Sequence, residues 1–403
     1  MPPLAASSTN PAPKPSPPPT TSPTLGLVGG GQLAKMLAQA AQQFGCEVVV
    51  LERASNTPAA HLARTTLLGD WDDPANLLKL GAQVDVTTLE NEFVASESLA
   101  ALEHAGHAVW PSARTIRLVQ DKLLQKEALA GAGLPLPRFV AVAEPADIAA
   151  AAQNFGWPLV LKKRRNGYDG KGNATLRSAA DITSAWAELG GGVGALYVEE
   201  FCPFVAELAI MIVRGRAGES VAYPLVETVQ QNHICHLVKA PAAVAPEIGR
   251  RASEIARLAV ESVGMVGAMG VEMFLLADGT VLVNELAPRV HNSGHYTIEA
   301  CVCSQFENHV RAVLGWPLGD PSLLAPAAVM VNLLGAGPGS GTPHGLPQAL
   351  AIPGSHPHVY GKAHSQTGRK MGHLTVLGQT LPEALEKARH AAGLIRFGDS
   401  PIS

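Results

Sequence analysis

Two glutamates, Glu272 and Glu285, flank the dipeptide Asp278-Gly279, which falls between two apolar runs. Asp-Gly at such a place predicts a two-residue hairpin turn. Pairing by reflection sets Ala277 opposite Thr280, Phe274 opposite Val283 and Glu272 opposite Glu285, with Phe274 and Leu276 on the face that carries Glu272. Directly opposed residues of an antiparallel pair have Cβ atoms roughly 5 Å apart, and like charges there repel. The arrangement is tenable when the carboxyls share a proton, when a lysine or arginine neutralises them, or when a cation lies between them. Mg2+ takes one or two carboxylates and completes its shell with water and phosphate oxygens. Asn284, beside Glu285, adds a polar ligand. The hairpin by itself leaves the cation and the salt bridge as open alternatives.

A second constellation lies upstream. Lys162 closes the apolar run Leu159–Leu161 and leads through Lys163, Arg164 and Arg165 into Asn166-Gly167-Tyr168-Asp169-Gly170-Lys171-Gly172. Glycines let backbone N–H groups approach an anion closely, and a lysine at a strand end supplies a point charge. Such a loop can fold over nucleotide phosphates. A solvated basic loop is the plainer alternative, and the carboxylate hairpin downstream favours the first.

The elements that must hold these groups fall into three regions. From Leu25 the order is strand, Gly29-Gly30-Gly31 turn, a helix with the apolar stripe Leu33, Met36, Leu37, Ala40 and Phe44, and a strand Val48–Leu51, which is a βαβ unit. Further apolar segments at Thr66–Leu68 and Val84–Leu89 extend it, so residues 24–112 are expected to form an open, Rossmann-like parallel α/β domain. A helix over Ser112–Ala130 opens a central domain, 113–316, with a largely antiparallel sheet. Its strands are expected at Leu159–Leu161, Leu196–Glu199, Leu208–Val213 and Val221–Val226, and a helix is expected over Glu299–Leu314. A Pro- and Gly-rich stretch then sets off a small β-rich region, 326–398, with a strand at His373–Leu377 and a helix at Pro382–Ala392. Residues 1–23 carry Pro11, Pro13, Pro15, Pro17 and Pro19 and are expected to be a disordered tail. The fold class is therefore α/β combined with α+β.

Composition limits the function. In 403 residues, 47% hydrophobic and 16% charged with a net charge of −4, no basic surface for nucleic acid or anionic membrane is implied, and no apolar run is long enough to span a bilayer. Small molecules are the expected partners. Five cysteines without CxxC spacing point to reduced thiols in cytoplasm, and Cys301-x-Cys303 is expected to be a pair of core residues on a helix.

In this order the features resemble the ATP-grasp superfamily, and the run Asn284-Glu285-Leu286-Ala287-Pro288-Arg289-Val290-His291-Asn292-Ser293-Gly294-His295 is very similar to the N5-carboxyaminoimidazole ribonucleotide synthetases. Gly30-Gly31-Gln32-Leu33, Asp121-Lys122 with Gln125-Lys126, the loop Gly167–Gly172 and Gly368-Arg369-Lys370-Met371-Gly372-His373 support it. The resemblance implies a pre-ATP-grasp domain, a central ATP-grasp domain and a small C-terminal domain. It also implies an ATP-dependent carbon–nitrogen ligase that carboxylates aminoimidazole ribonucleotide with bicarbonate in purine biosynthesis, through carboxyphosphate, as a cytoplasmic homodimer. By it, ATP would be bound by Lys122, Lys162, Gly167, Tyr168, Asp169, Gly170, Lys171, Gly172, Asn173, Glu199, Glu200, Phe201, Cys202, Glu207, Gln230, Asn284 and Glu285. Glu272 and Glu285 would hold Mg2+, with Mn2+ as the alternative ion. Arg289, His291, Lys370 and Tyr168 would serve catalysis, and Gln32, Leu33, Asn292 and Arg369 would meet the ribonucleotide. Gln230 and Ala34 depart from the family pattern, where histidine and glycine are usual.

Two rivals remain at this level. Gly29-Gly30-Gly31-Gln32-Leu33-Ala34 satisfies GxGxxA, and Glu52 ends the following strand, which mimics an NAD site. That reading gives no role to Glu272, Glu285 or the loop after Lys162. A formate-dependent transformylase or a biotin-carboxylase-like ligase would share the nucleotide site and differ around Arg289–His295.

Overall fold

The computed structural model describes residues 22–167, 172–231 and 234–398. Most of the expected tail and Tyr168, Asp169, Gly170 and Lys171 lie outside them. The N-terminal region runs β1 (Thr24–Val28), α1 (Gln32–Gln43), β2 (Glu47–Glu52), β3 (Thr65–Leu68), α2 (Pro74–Gly81), β4 (Val86–Leu89) and α3 (Ser96–His104). Its four strands are parallel in the order β3-β2-β1-β4. The stripe on α1 is buried at Leu33, Met36, Leu37 and Ala40, as the helical period requires.

The expected helix from Ser112 to Ala130 is two helices, α4 (Ala113–Gln120) and α5 (Lys122–Gly131). The break falls at Asp121. Its backbone is extended, and its carboxylate accepts from Leu123 N and Leu124 N as an N-cap. The same carboxylate takes both nitrogens of the Arg164 fork, Nε at 2.9 Å and Nη2 at 2.7 Å. A capping residue with a tertiary partner overrides continuous helical periodicity.

The chain then builds a small antiparallel sheet from β5 (Phe139–Val142), α6 (Pro145–Phe155), β6 (Leu159–Lys163), β7 (Asn173–Leu176), α7 (Ile182–Glu188) and β8 (Leu196–Glu200), in the order β5-β8-β6-β7. Leu159, Leu161 and Val198 point into a core of their own under α6 and α7. Val160, Lys162, Tyr197 and Glu199 occupy the alternate positions, so they share the opposite face.

A larger sheet follows with β9 (Phe204–Arg214), β10 (Ser220–Ala222), β11 (Val226–Gln231), β12 (Ile234–Ala240), α8 (Pro246–Ser262), β13 (Gly267–Leu276) and β14 (Val281–Ala287). The strand expected at Val221–Val226 is thus two, because Tyr223-Pro224-Leu225 leaves the ladder. Next come α9 (Thr297–Ala300) and α10 (Gln305–Leu314). The expected single helix over Glu299–Leu314 is interrupted, and Cys301 and Cys303, although buried, lie in the extended link between the two helices, where Cys301 bridges Leu323.

The last region comprises β15 (Ala327–Leu334), β16 (Gly339–Ser340), α11 (Leu346–Leu350), β17 (Ser355–Val359), β18 (His364–Ser365), β19 (Lys370–Gly378) and α12 (Leu381–Leu394). Its main strands do not form a sheet of their own. They continue the large one, in the order β14-β13-β9-β11-β12-β15-β19-β17 with β10 beside β9. Asp121→Ala should remove both the α5 cap and the Arg164 anchor and destabilise the protein by about 2–3 kcal/mol, read as an earlier urea-unfolding midpoint.

Candidate active site

The two sheets, the ends of β1 and β4, and the start of β19 enclose a cleft of about 960 Å3. On its large-sheet wall the carboxylate hairpin is built differently from the expectation, with the same outcome. The turn spans three residues, Ala277-Asp278-Gly279. Leu276 N donates to Thr280 O, and Gly279 adopts φ +84°, which suits glycine. Phe274 consequently faces Leu282 and Met273 faces Val283. A bulge after Glu272 then shifts the register by one and returns Glu272 to Glu285. The extra residue is Asn284, and so Asn284 and Glu285, though consecutive, both line the cleft. The Asn284 Oδ1 is buried without a hydrogen-bond partner. Val271, Met273, Val281, Val283 and Leu286 are packed in the core beneath, each such buried side chain being worth about 1.5–3 kcal/mol, so packing holds the strands in register against the repulsion above it.

That repulsion appears in the titration of the pair. Burial, the facing Glu285 and Glu207 push Glu272 up to about 8. Burial would also raise Glu285, but Lys122 bonds to its Oε2, and Lys122 and Lys162 bring it down to about 2. Near neutral pH the two carboxyls therefore carry about one charge between them, and Lys122 answers it.

Other cations of the cleft are also held by carboxylates. Lys162 Nζ lies 2.5 Å from Glu199 Oε2, and Lys126 Nζ lies 2.6 Å from Oε1 of the same group. Arg289 grips Glu92 through Nε at 2.5 Å and Nη2 at 3.2 Å. Glu92 stays ionised against burial because of that guanidinium. His291 Nδ1 meets Ser293 Oγ at 2.9 Å and is the atom toward which Ser293 N points, so its Nε2 carries the hydrogen toward Glu272 Oε1 at 3.3 Å. Burial, Arg289 and Lys370 push His291 down to about 3, and the contact joins a neutral imidazole to a carboxyl, not two charges. The Gln305 amide fixes the His291 backbone, accepting from its N at 2.9 Å and donating to its O at 2.8 Å.

Most expected residues meet here. Lys122, Lys162, Gly167, Asn173, Glu199, Glu200, Phe201, Cys202, Glu207, Gln230, Glu272, Asn284, Glu285, Arg289, His291, Lys370, Gln32, Leu33 and Asn292 all line the cleft. Gly172, at the loop's end, adopts φ +92° behind Gly167. Arg369 points elsewhere: it is exposed and donates to His364 O at 2.7 Å. The Asn292 amide is engaged reciprocally with Asn332 at 2.7 and 2.9 Å, and the Glu200 carboxylate with Arg138. Sequence reasoning missed Glu90 and Glu92, although acids just past the end of β4 lie where open parallel sheets place ligands. It also gave no role to Gln125, whose amide pairs with Leu286 N and O on the outer edge of β14.

The glycine turn is filled by the chain itself. Glu52 accepts from Gly30 N at 2.7 Å, and Glu90 accepts from Gly31 N and Ala34 N at 2.8 and 3.1 Å. The amides that a dinucleotide pyrophosphate would need are occupied by carboxylates, which removes the basis of the NAD reading.

Two sheets closing on a cleft, with lysines on one wall and facing acids on the other, define the ATP-grasp ligases. Residues 127–306 match the ATP-grasp domain, 23–120 the ribonucleotide synthetase preATP-grasp domain and 328–387 the phosphoribosylaminoimidazole carboxylase C-terminal domain. The chain is 44% identical over 353 residues to the N5-carboxyaminoimidazole ribonucleotide synthase of Synechococcus elongatus, covering 87% of this chain and 89% of that protein. The synthetase of Thermotoga maritima superposes with a TM-score of 0.85 at 38% identity, over 94% of this chain and all, 100%, of that one. An Aspergillus clavatus synthase solved in complex with ADP and 5-aminoimidazole ribonucleotide gives 0.84 at 36% identity, over 93% and 98%. The chain belongs to the N5-carboxyaminoimidazole ribonucleotide synthase family and is an ATP-dependent ligase. Among the described residues, no helix is long and apolar enough to cross a membrane.

The raised Glu272 has a measurable consequence. Its folded value of about 8 lies above its ordinary 4.5, so its contribution to stability is whole below pH 4.5 and is lost as pH rises through about 8. Without metal, Glu272→Gln should flatten the fall in Tm between about pH 4.5 and 8; an unchanged slope would count against the shared charge.

Proposed function

We propose that the chain joins bicarbonate to the exocyclic amine of aminoimidazole ribonucleotide at the expense of ATP, yielding N5-carboxyaminoimidazole ribonucleotide, ADP and phosphate in de novo purine synthesis. The observation that carries this reading is the facing pair Glu272 and Glu285 in a cleft that also holds Lys122, Lys162, Arg289, His291 and Lys370. Among the described residues there is no cluster of three or more His, Cys, Asp or Glu that could hold a metal. Two carboxylates and the unpartnered Asn284 oxygen, completed by phosphate and water, nevertheless fit Mg2+. Glu272, Glu285 and Asn284 would hold Mg2+, or Mn2+ in its place, and the ion when bound neutralises the charge of the triphosphate.

The chain's own groups position the reactants. Lys162, Gly167 and Asn173 lie on the small-sheet side, where the phosphates would rest, with Glu200, Phe201, Cys202 and Glu207 along the nucleotide and Glu199 turned to Lys126 and Lys162. The Arg289 fork is presented in a fixed plane by Glu92 and is suited to a planar bicarbonate. A bicarbonate oxygen attacks the terminal phosphorus, the bond to the ADP oxygen breaks, and carboxyphosphate forms. The amine then attacks the carboxyl carbon, the bond from that carbon to the bridging oxygen breaks, phosphate leaves with the C–O electron pair, and the amine loses a proton. His291, held neutral by burial, Arg289 and Lys370, presents an N–H donor to the developing oxyanions, and an anion beside it raises its proton affinity. Lys370 and Gln32-Leu33 border the acceptor side. A cytoplasmic homodimer is part of this proposal, and the five free cysteines agree with a reducing compartment.

Bicarbonate-dependent ADP release should rise when aminoimidazole ribonucleotide is added. Glu285→Gln should lower kcat by about 100-fold or more while the protein stays folded. Turnover with formate and a different ribonucleotide, or with biotin, in place of these substrates would overturn the assignment.

A further inference from the structure

Lys126 lies behind the cleft wall. It is 1% exposed, on a helix, with its ammonium against Glu199, which is itself 2% exposed. A buried ammonium is costly, and an apolar side chain of similar volume would fill the same space at less cost. Packing therefore does not account for a lysine at this position. The far oxygen of the same carboxylate holds Lys162, which does line the cleft. Sheet geometry explains the contact: Val160 faces Glu199 and Lys162 faces Tyr197 across β6 and β8, so Lys162 and Glu199 are diagonal neighbours on one face.

The three groups, Lys126, Glu199 and Lys162, carry one positive charge in excess. We propose that Lys126 is a positioning residue for the nucleotide, the fixed countercharge that lets Lys162 leave Glu199 and move to the phosphates. The inference rests on the reading that Lys162 meets those phosphates. Without Lys126, transfer of Lys162 to the nucleotide would strand a buried carboxylate, and Lys162 would remain on Glu199. With Lys126 in place, Glu199 keeps a partner throughout.

The setting on α5 fits this role. Lys122, Gln125 and Lys126 follow the i, i+3, i+4 spacing and share one helix face. Lys122 reaches Glu285 and Gln125 reaches Leu286, both on the large sheet, whereas Lys126 reaches Glu199 on the small one. Lys126 is thus held by the same face that sets the distance between the two walls.

The test compares KM for ATP, at saturating bicarbonate and aminoimidazole ribonucleotide, in the full-length wild type, Lys126→Met, Lys126→Arg, Lys162→Met and the double variant Lys126→Met/Glu199→Gln. Lys126→Met should raise the ATP KM by roughly 10-fold or more and leave the KM for the ribonucleotide unchanged, and Lys126→Arg should restore it. The double variant should recover most of the loss, since no carboxylate then remains to retain Lys162. A damaged core would make the double variant worse, so recovery separates positioning from a structural role. Where the methionine variant does not fold, Lys126→Gln carries the same comparison. An ATP KM within about twofold of wild type in Lys126→Met, or a double variant no better than the single one, overturns the inference. An unchanged ATP KM in Lys162→Met overturns the underlying site reading as well, which distinguishes the two failures.

Discussion

The facing carboxyls of Glu272 and Glu285 set the terms for the groups around them. Two acids held at cross-strand distance by a packed core repel, so Glu272 holds its proton while Lys122 pairs with the charged Glu285. The same pattern recurs at Lys162 with Glu199 and at Arg289 with Glu92. These charges of the cleft are thus met by opposite charges of the chain itself. Such internal pairing keeps a strongly charged site compatible with a stable fold.

How much of this was legible depended on whether the determining interaction was local. The βαβ start, the basic loop after Lys162 and the opposition of Glu272 to Glu285 follow from periodicity, turn chemistry and motif. The opposition of Glu272 to Glu285 holds through two compensating departures from a simple hairpin, however. A two-residue turn without a bulge and a three-residue turn with one lead to the same pairing at Glu285, and they differ at Phe274 and Val283. The sequence carries no mark of that bulge, which becomes evident only when Asn284 and Glu285 are seen on the same side.

Where the deciding partner is distant, the sequence misled. Asp121 ends α4 because Arg164, forty-three residues on, takes its carboxylate. Glu52 imitates a ribose-binding acid at the end of β2, but it is turned back onto Gly30 N. Glu92 looks like an ordinary loop acid until Arg289, 197 positions later, closes on it. Each of these is a tertiary contact that no spacing rule encodes, and together they decide the geometry around Arg289 and the identity of the N-terminal turn.

The continuity of the large sheet bears on how such a cleft can work. Lys370 starts β19, and successive ladders join that strand through β15, β12, β11 and β9 to the hairpin with the paired acids. Groups that belong to different regions of the chain are therefore fastened to one backbone lattice, and their spacing cannot be altered without tearing rungs from it. The sheet β5-β8-β6-β7 has no rung in that lattice and meets it through α5. A change in the distance between the two walls would therefore leave every ladder of the large sheet intact, because the smaller plate shares only a helical strut with it.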